Sequence, residues 1–425
     1  MRAKDFPWTG ASDTAEQIRI WTEGAGLGVT EADIGKSDIL PGAWPYTDRK
    51  LLELTNRFDA TDLPRERVAV DIGEAGAALA DLDADLRESL EIAAANIRRV
   101  AEAQPPQVQR VTGLYGGQSV SLREVPVGAA GIYAPGGKAA YPSSVLMCAI
   151  PARAAGVGRL VLSTPPGPDG SMSPLVLAAA ALGEVDEIYA IGGAQAIFAM
   201  AYGSDSIEPV DVIAGPGNAW VREAKRMVSG EVGIDSLAGP SELMVVADAD
   251  TDLQWAALDL CAQAEHGGEG PLIATAVEEE VLDGLRAEVD RVAADNEVGN
   301  APLALVRVPD LNSALDLANA FAPEHLELLV EGAAALAEKA TTAGCVFAGA
   351  YSATAFGDYV AGSNHVLPTG GAGHFSGPLN PDVFRRKVST VEITAEAAAE
   401  LAPHVERIAR AEGFPVHGES AMIRR

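Results

Sequence analysis

An acid and an imidazole lie side by side at Glu324 and His325, and this pair has the composition of a proton-transfer site. Apolar residues surround it, with Phe321 before the pair and residues 326–330 after it. A glutamate and a histidine can together supply a base and an acid near neutral pH. A lone histidine at a helix-to-strand junction is more often a hydrogen-bonded core or surface residue, so the pair needs support from elsewhere in the chain.

Other polar residues suit a divalent metal ion. Gln263 and His266 are three residues apart at the end of a helical run, residues 253–265, which Gly267-Gly268 close. This spacing puts both side chains on one helix face, where an imidazole and an amide oxygen can bind a metal such as zinc. A histidine that only helps to cap the helix is the alternative.

Two further pairs of titratable residues lie toward the C-terminus. Asp358 and His365 belong to a glycine-rich loop, a common place for functional groups beside a rigid α/β scaffold. The alternative for these two residues is a solvated turn. Glu412 and His417 lie near the end of the chain and indicate little on their own.

Three glycine-rich turns could hold the phosphates of a nucleotide. Residues 133–138, 191–195 and 214–218 each follow a predicted strand and open a predicted helix with free N–H groups. The Gly-x-Gly-x-x-Gly fingerprint of dinucleotide-binding folds is absent, and residues 24–28 have the wrong spacing for it. Glycines needed only for tight turns are the alternative interpretation.

The composition predicts a globular protein of the cytoplasm. A length of 425 residues with 48% hydrophobic residues suggests two or more domains. The net charge of −29 makes nucleic acid and anionic membranes poor partners, and indicates either a well-solvated surface or adaptation to high salt. The three cysteines are widely spaced in apolar segments, which is typical of free thiols. We find neither a membrane-spanning run nor an N-terminal signal core.

The elements that would position these residues alternate between strands and helices. Strands are predicted at 127–133, 160–163, 187–191, 210–213 and 243–247, and further strands near 271–276, 303–308, 325–330 and 344–348. Helices are predicted at 142–155, 173–182, 194–201 and 218–229. The alternation predicts two tandem α/β units with parallel sheets. Residues 1–45 look polar and turn-rich, 349–380 look like a loop, and a helix at 394–411 is expected to dock on a second subunit.

Together these motifs resemble the histidinol dehydrogenase family. The resemblance runs from about residue 30 to the end, through residues 131–145, 192–197, 215–218, 238–242, 263–266, 322–326, 357–359 and 364–369. It implies an α/β fold of two incomplete Rossmann-like domains, with N- and C-terminal helical tails that exchange between subunits. The domains expected are a tail at 1–30, a discontinuous α/β domain of 31–130 and 241–380, a cofactor domain at 131–240 and a dimerisation tail at 381–425.

The resemblance also implies an enzyme that uses NAD and one Zn²⁺ per subunit. It would oxidise L-histidinol to L-histidine through histidinal, as a homodimer with shared sites. Glu324 and His325 match the proton-transfer pair. Of the other positions, Tyr133, Gln195 and Asn218 match NAD contacts, Gln263, His266, Asp358 and His417 match zinc ligands, and Ser241, His365 and Glu412 match substrate contacts. The substrate would also contact the metal ligands and His325.

The expected chemistry assigns separate proton steps to the pair. His325 takes the hydroxyl proton as hydride leaves, Glu324 activates the water that hydrates the aldehyde, and His325 serves again in the second hydride step. Zinc would hold the amine and imidazole of the substrate. The His417 assignment rests on the tail, which varies more than the core motifs.

Other functions are weaker alternatives. A zinc- and NAD-dependent paralogue could oxidise another primary alcohol, such as a sulfonated diol, but His365 and Glu412 suit a cationic amino alcohol better. A cysteine-dependent aldehyde dehydrogenase would need a reactive thiol, whereas Cys148 lies in an apolar helix with no base nearby in sequence. A zinc-binding assembly protein without catalysis would require damage to the Glu324-His325 pair.

Overall fold

The computed structural model describes residues 1–23, 28–40, 45–59, 61–136, 140–266, 270–296, 298 and 301–425. Numbered in chain order, the strands are β1 (Arg2–Phe6), β2 (Ala69–Val70), β3 (Val108–Val111), β4 (Ser119–Pro126), β5 (Ala129–Tyr133), β6 (Arg159–Thr164), β7 (Glu187–Ala190), β8 (Val212–Ala214), β9 (Gly233–Ile234), β10 (Leu243–Ala247), β11 (Leu272–Ala276), β12 (Pro302–Arg307), β13 (His325–Leu329), β14 (Cys345–Ala348) and β15 (Arg385–Glu392).

The helices, again in chain order, are α1 (Ala11–Glu23), α2 (Glu31–Lys36), α3 (Asp48–Phe58), α4 (Gly73–Asp81), α5 (Ala84–Glu102), α6 (Pro142–Ala155), α7 (Pro174–Leu182), α8 (Gly193–Tyr202), α9 (Ala219–Val228), α10 (Leu253–Ala264), α11 (Glu279–Asp295), α12 (Leu311–Phe321), α13 (Ala333–Ala337), α14 (Thr354–Tyr359), α15 (Ala395–Ala411) and α16 (Pro415–Met422). Within the described residues, none of them is both long and apolar enough to cross a bilayer.

The first sheet, which we call sheet I, has five of the six strands of a dinucleotide-binding fold, in the same order. Its order is β2-β7-β6-β5-β8-β9, and every pairing is parallel except that of β2 with β7. Counted along the chain from β5, the five parallel strands follow the order 3-2-1-4-5. All residues of β5 are buried, as expected of a parallel strand covered by helices on both faces.

The second sheet, sheet II, repeats the same order and is parallel throughout. Its order is β1-β12-β11-β10-β13-β14, so counting from β10 again gives 3-2-1-4-5, with β1 added at the edge. The α/β class and the parallel sheets predicted from the sequence are therefore confirmed. The strand at 243–247, grouped in the sequence with those before it, is instead the first strand of sheet II.

The N-terminal residues are more regular than their polar composition indicates. Instead of a turn-rich segment, they form β1, which pairs with β12 of the same chain, and α1, which packs against α12. The strand is short and mostly exposed, and only Phe6 is buried, so its own apolar pattern is weak. Its partner lies some three hundred residues away, which local sequence cannot indicate.

Two other segments also differ from their sequence predictions. Residues 349–380 contain α14 and a short 3₁₀ helix at Ala372–His374, not only loop. Residues 31–104 carry α2 to α5, and their buried Ile34, Leu54 and Ile97 belong to the core of sheet I. This segment therefore packs with the predicted cofactor domain, not with sheet II. The complete domain division stays a prediction.

The C-terminal residues form an arm on the rest of the chain. The strand β15 pairs antiparallel with β4, and β4 pairs with β3, which gives a third sheet. After it come α15, which matches the helix predicted at 394–411, and α16, which packs against α15. The exchange of tails between subunits stays a prediction.

Candidate active site

The Glu324-His325 pair lies at the start of a central strand of sheet II. Helix α12 ends at Phe321, and Ala322 follows in the left-handed region at φ 52°. His325 then begins β13, so the pair occupies the amino end of that strand. The two side chains are only 6% and 3% exposed. The pair predicted for proton transfer is therefore shielded from bulk water.

A second glutamate, Glu242, holds the pair in place. It precedes β10, whose first residue Leu243 is in register with His325. The backbone N–H of Glu242 donates to Glu324 Oε2 at 2.8 Å, and the N–H of Glu324 donates to Glu242 Oε2 at 3.2 Å. Gly370 N donates to the other Glu242 oxygen at 3.1 Å. These bonds fix the geometry of Glu324 between two neighbouring strands.

Helix α1 adds a cation to this network. The Arg19 guanidinium is 3.5 Å from Glu242 Oε1, donates to the Phe321 carbonyl, and lies 3.9 Å above the Phe321 ring. Burial nevertheless raises the pKa of Glu242, with Arg19 opposing the rise. The N-terminal residues thus contribute to the support of the site.

His325 is held in one tautomer. Its Nδ1 is 3.1 Å from the Glu242 carbonyl oxygen, which can only accept, so we assign the ring proton to Nδ1. Nε2 then carries the free lone pair and lies 3.8 Å from Asp358 Oδ1. Burial lowers the pKa of His325 to about 4, so the ring is neutral near pH 7. A neutral ring with a free lone pair on Nε2 can accept a proton.

The pKa of Glu324 is shifted in the opposite direction to that of His325. Burial raises its pKa well above the ordinary value, although the Glu242 N–H and the Ser241 hydroxyl stabilise the carboxylate. A desolvated carboxylate is a stronger base than an exposed one. Glu324 Oε2 is 3.6 Å from His325 Nδ1, so an acid and a base are adjacent in space as well as in sequence.

Asp358 and His365 join the pair from the segment after β14. Asp358 lies on α14, and its backbone carbonyl accepts a hydrogen bond from His365 Nδ1 at 3.0 Å. His365 Nε2 is 3.2 Å from Ser144 Oγ at the start of α6. Burial lowers the pKa of His365 to about 4 and raises that of Asp358 to about 6, with nearby His266 opposing the latter. His365 therefore links sheet II to a helix of sheet I.

The predicted zinc ligands are partly brought together. Gln263 is buried near the end of α10, and His266 follows it in an exposed turn within electrostatic range of Asp358. Gly267-Gly268 lie outside the described residues. Amide oxygen, imidazole and carboxylate are ligands that zinc accepts. No group of three or more His, Cys, Asp or Glu in the described part of the chain is arranged to hold a metal ion.

The two tail residues lie apart from this cluster in sequence and on a separate arm. Glu412 caps the end of α15 and His417 lies on α16, and both are exposed. The centroid of the His417 ring lies 5.5 Å from that of the Phe414 ring. Because the described chain contains no three-residue metal group, His266, Asp358 and His417 do not form one within a single chain.

The predicted cofactor residues lie at the carboxyl ends of the strands of sheet I. Tyr133 ends β5, and its hydroxyl accepts a hydrogen bond from Gly193 N at 3.0 Å. Gln195 is 1% exposed, and its Nε2 atom has no hydrogen-bond partner in the described part of the chain. Asn218 caps α9 through Oδ1, which leaves its amide N–H groups to donate. Gly137 and Lys138 of the first glycine-rich turn lie outside the described residues.

A buried ion pair holds the turn before Asn218 in place. Asp235 accepts from Gly215 N at 2.8 Å and pairs with Lys225, whose ammonium donates to the Gly215 carbonyl at 3.0 Å. Gly215 has φ +124°, and a Cβ there would lie 2.0 Å from the Tyr133 carbonyl oxygen. Only glycine lets these two turns approach so closely.

Two observations indicate that these residues could bind a dinucleotide. The Gln195 Nε2 atom is buried without a partner among the described residues, and the Gly215 turn brings backbone against Tyr133. The same strands, β5 and β8, are the paired neighbours at the switch point of a 3-2-1-4-5 sheet, where the strand order reverses and ligands bind at the carboxyl ends. The proton-transfer pair instead uses the amino ends of the corresponding strands of sheet II.

The buried thiol of Cys148 does not resemble a nucleophile. It lies inside α6 with no exposure, and burial raises its pKa far above the ordinary value. Sequence reasoning missed Glu242, Arg19 and Ser144, although Glu242 and Ser144 lie within the quoted stretches 238–242 and 131–145. Their contacts come from strand pairing and helix packing, and for Arg19 the sequence carries no signal.

Comparisons with known proteins identify the family of the chain. A family model described as histidinol dehydrogenase matches residues 39–425. The histidinol dehydrogenase of Synechococcus sp. is 42% identical over 422 residues, covering 97% of each chain. That of Ruegeria pomeroyi is 45% identical, covering 89% of this chain and 88% of the relative.

A solved structure supports the same assignment. The histidinol dehydrogenase of Elizabethkingia anophelis superposes with a TM-score of 0.86 at 29% identity, covering 100% of this chain and 98% of that one. The family match spans well over half of the chain and the relatives are aligned over almost their whole length. The chain therefore belongs to the histidinol dehydrogenase family.

Proposed function

We propose that this chain oxidises L-histidinol to L-histidine through L-histidinal, with two NAD reduced, as the last step of histidine biosynthesis in the cytoplasm. The observation that carries the proposal is the neutral, oriented His325 beside Glu324, in a chain of this family. An oxidation that releases two hydrides and adds one water needs a proton acceptor three times. The pair supplies two bases with different pKa values.

His325 is suited to the two steps in which hydride leaves. Its Nδ1–H is held by the Glu242 carbonyl, so Nε2 is the atom that accepts the hydroxyl proton of the alcohol. A pKa near 4 keeps Nε2 unprotonated before each step. After hydration the aldehyde carries hydroxyl groups again, and the same nitrogen can accept the second proton.

Glu324 is suited to the step between them. Its carboxylate is anchored by the Glu242 N–H and lies beside His325, so it can remove a proton from a water that attacks the aldehyde carbon. The rise in its pKa on burial makes the carboxylate a more effective base for this proton. Burial also keeps other water from the reacting carbon.

One zinc ion per subunit would be held by Gln263, His266, Asp358 and, from the second subunit, His417. When bound, zinc would act as a Lewis acid that orients the amine and imidazole of the substrate. Ser241, His365 and Glu412 would contact the remainder of the substrate. For the cofactor, we assign Tyr133, Gln195 and Asn218 as contacts of NAD at the carboxyl edge of sheet I.

A homodimer would complete the site. An apolar surface next to α10 and α14 has Trp255, Leu258, Tyr351 and Phe356 between 42% and 85% exposed, around a cavity of about 330 Å³. The tail also exposes apolar residues, with Val416 at 71% and Ile423 at 83%. Docking a partner's tail would bury both surfaces and would bring Glu412 and His417 toward the helices that carry the other ligands.

The test is an assay of NADH formation with purified protein. Incubation with L-histidinol and NAD should give NADH, and prior treatment with a strong chelator should abolish the reaction until zinc is restored. A sulfonated diol should give no NADH under the same conditions. Turnover of the diol but not of histidinol would replace the proposed substrate with that of a paralogue.

A further inference from the structure

A carboxylate that the foregoing assignments leave without a role lies beside the cofactor turns. Asp59 follows the end of α3, and its Oδ2 atom is buried with no hydrogen-bond partner among the residues that the structure describes. Its Oδ1 atom lies 3.2 Å from where a Cβ of Gly192 would be. The absence of any partner for a buried carboxylate oxygen is costly unless a ligand supplies a donor.

The position of Asp59 in the sheet indicates what that ligand is. The same Gly192 Cβ position is 2.5 Å from Pro165, so Asp59, Pro165 and Gly192 meet at the carboxyl ends of β6 and β7. These are strands 2 and 3 of the 3-2-1-4-5 order. In dinucleotide-binding folds, an acid at the end of strand 2 accepts the 2′-hydroxyl of the adenosine ribose.

Sheet I has no acid of its own at that place. The strand β6 ends at Thr164 and continues into Pro165-Pro166. The next acid along the chain, Asp169, uses Oδ1 to accept hydrogen bonds from the backbone and hydroxyl of Ser171 at 3.0 and 2.6 Å. The strand-2 carboxylate is therefore missing from its usual segment, and Asp59 reaches the position from another part of the chain.

The neighbours of Asp59 belong to the cofactor edge. Asp59 is close enough to the Tyr133 hydroxyl to affect the pKa of that phenol, and the hydroxyl accepts from Gly193 N. Gln195, two residues on, has the unpartnered Nε2 atom. An unpartnered acceptor and an unpartnered donor thus flank one turn, which matches a ligand that can both donate and accept, such as a ribose hydroxyl.

We propose that Asp59 accepts a hydrogen bond from the 2′-hydroxyl of the adenosine ribose. This contact makes the chain select NAD over NADP. The proposal rests on the proposed function only in taking a nicotinamide dinucleotide as the cofactor. A carboxylate in this place would repel a 2′-phosphate and has no hydrogen to donate to it. The discrimination would therefore come from both an attractive and a repulsive contact.

Equilibrium binding tests this role without the reaction. The fluorescence of NADH and NADPH is titrated with the full-length protein and with Asp59→Asn. For the variant we expect the Kd of NADH to rise about ten- to a hundredfold, because a hydrogen bond to a charged acceptor is lost. The Kd of NADPH should stay the same or fall, so the preference for NADH shrinks by at least that factor.

The 2′-deoxy analogue of NADH separates a ligand contact from a structural role. Wild-type protein should bind the analogue as weakly as Asp59→Asn binds NADH, and the variant should bind both alike. Asp62→Asn is the matched control, since Asp62 is an exposed acid of the same segment, and it should bind all three nucleotides like the wild type. Thermal unfolding of each variant checks that it is folded.

Two results would overturn the proposal. Equal losses of affinity for NADH, NADPH and the deoxy analogue in folded Asp59→Asn would mean that Asp59 only shapes the turn. An unchanged ratio of NADH to NADPH affinity would exclude it as the selective residue, with the proposed reaction intact. Wild-type protein that binds neither dinucleotide would overturn the proposed function and this inference together.

Discussion

Glu242 and Glu324 exchange hydrogen bonds in both directions between neighbouring strands, each backbone N–H donating to the side chain of the other residue. One carboxylate is also bound by Arg19 and Gly370. The other is free of such a cation and has the higher basicity that burial confers. The exchange therefore separates a supporting glutamate from a reacting one.

The supporting role predicts the effect of changing Glu242. Glu242→Gln should reduce kcat about tenfold or more and destabilise the fold by about 1–3 kcal/mol. The reason is that one of the two N–H groups that donate to the Glu242 carboxylate is left without an acceptor. Steady-state kinetics and urea denaturation measure the two effects. Glu280→Gln, an exposed acid on α11, is the control. If Glu242 acts through Glu324, the loss of kcat in the double variant with Glu324→Gln should be far from additive.

The division of labour within the pair predicts different substrate dependences. Glu324→Gln should impair hydration of the aldehyde more than oxidation of the alcohol, since only hydration needs activated water. His325→Asn should slow both hydride steps. The measurement supplies histidinal directly to each variant and compares its rate with that from histidinol. If Glu324→Gln lowers the rate equally with histidinal and with histidinol, the two residues do not have separate roles.

The strand predictions succeeded where apolar runs were long, as at 129–133 and 325–329, since buried parallel strands carry their own signal. The predictions failed where a strand's existence or its sheet depends on a partner strand that is distant in sequence. The strand at 2–6 is polar and gains its place from β12, and the strand at 243–247 belongs to sheet II because of β13.

The site followed the same rule. The sequence singles out Glu324, His325, Asp358 and His365, and the structure brings them together, while their roles stay predictions. It does not single out Glu242 or Asp59, because the position of each depends on which strands and turns become neighbours. His417 is different again: among the described residues it joins no metal-binding group of its own chain, and its place in a site shared by two subunits stays a prediction.

The shared site predicts complementation between inactive chains. His417→Ala and His266→Ala should each be inactive, but a co-refolded mixture should recover activity. Each mixed dimer would then contain one site with both defects and one intact site. Random pairing gives recovery of roughly a quarter of the wild-type activity, if the sites of the symmetric dimer act independently. Heterodimers without activity above the parents would mean that His417 acts within its own chain.

The buried Asp59 predicts a pH-dependent change in stability. Burial raises its pKa from 3.8 to about 6, so between these values the folded protein binds more protons than the unfolded chain. This difference makes wild-type stability fall as pH rises through that interval. Asp59→Asn should be more stable than wild type above pH 6 by about 1–2 kcal/mol, a figure reduced for partial solvent contact, and the gain should shrink at lower pH.

Urea denaturation at several pH values between about 5 and 8 measures this difference. Asp62→Asn should show no such trend. A lower stability of Asp59→Asn at every pH would instead assign its carboxylate to the amino end of α8, where a negative charge stabilises a helix.

A four-electron oxidation by one site fixes the stoichiometry of NADH formed per substrate molecule. A limiting amount of L-histidinol is converted to completion with excess NAD, and NADH is measured by absorbance while the products are separated. Because His325 can accept a proton in both hydride steps and Glu324 can hydrate the aldehyde between them, we expect two NADH and one L-histidine per histidinol. One NADH per histidinol, with histidinal accumulating, would contradict the account.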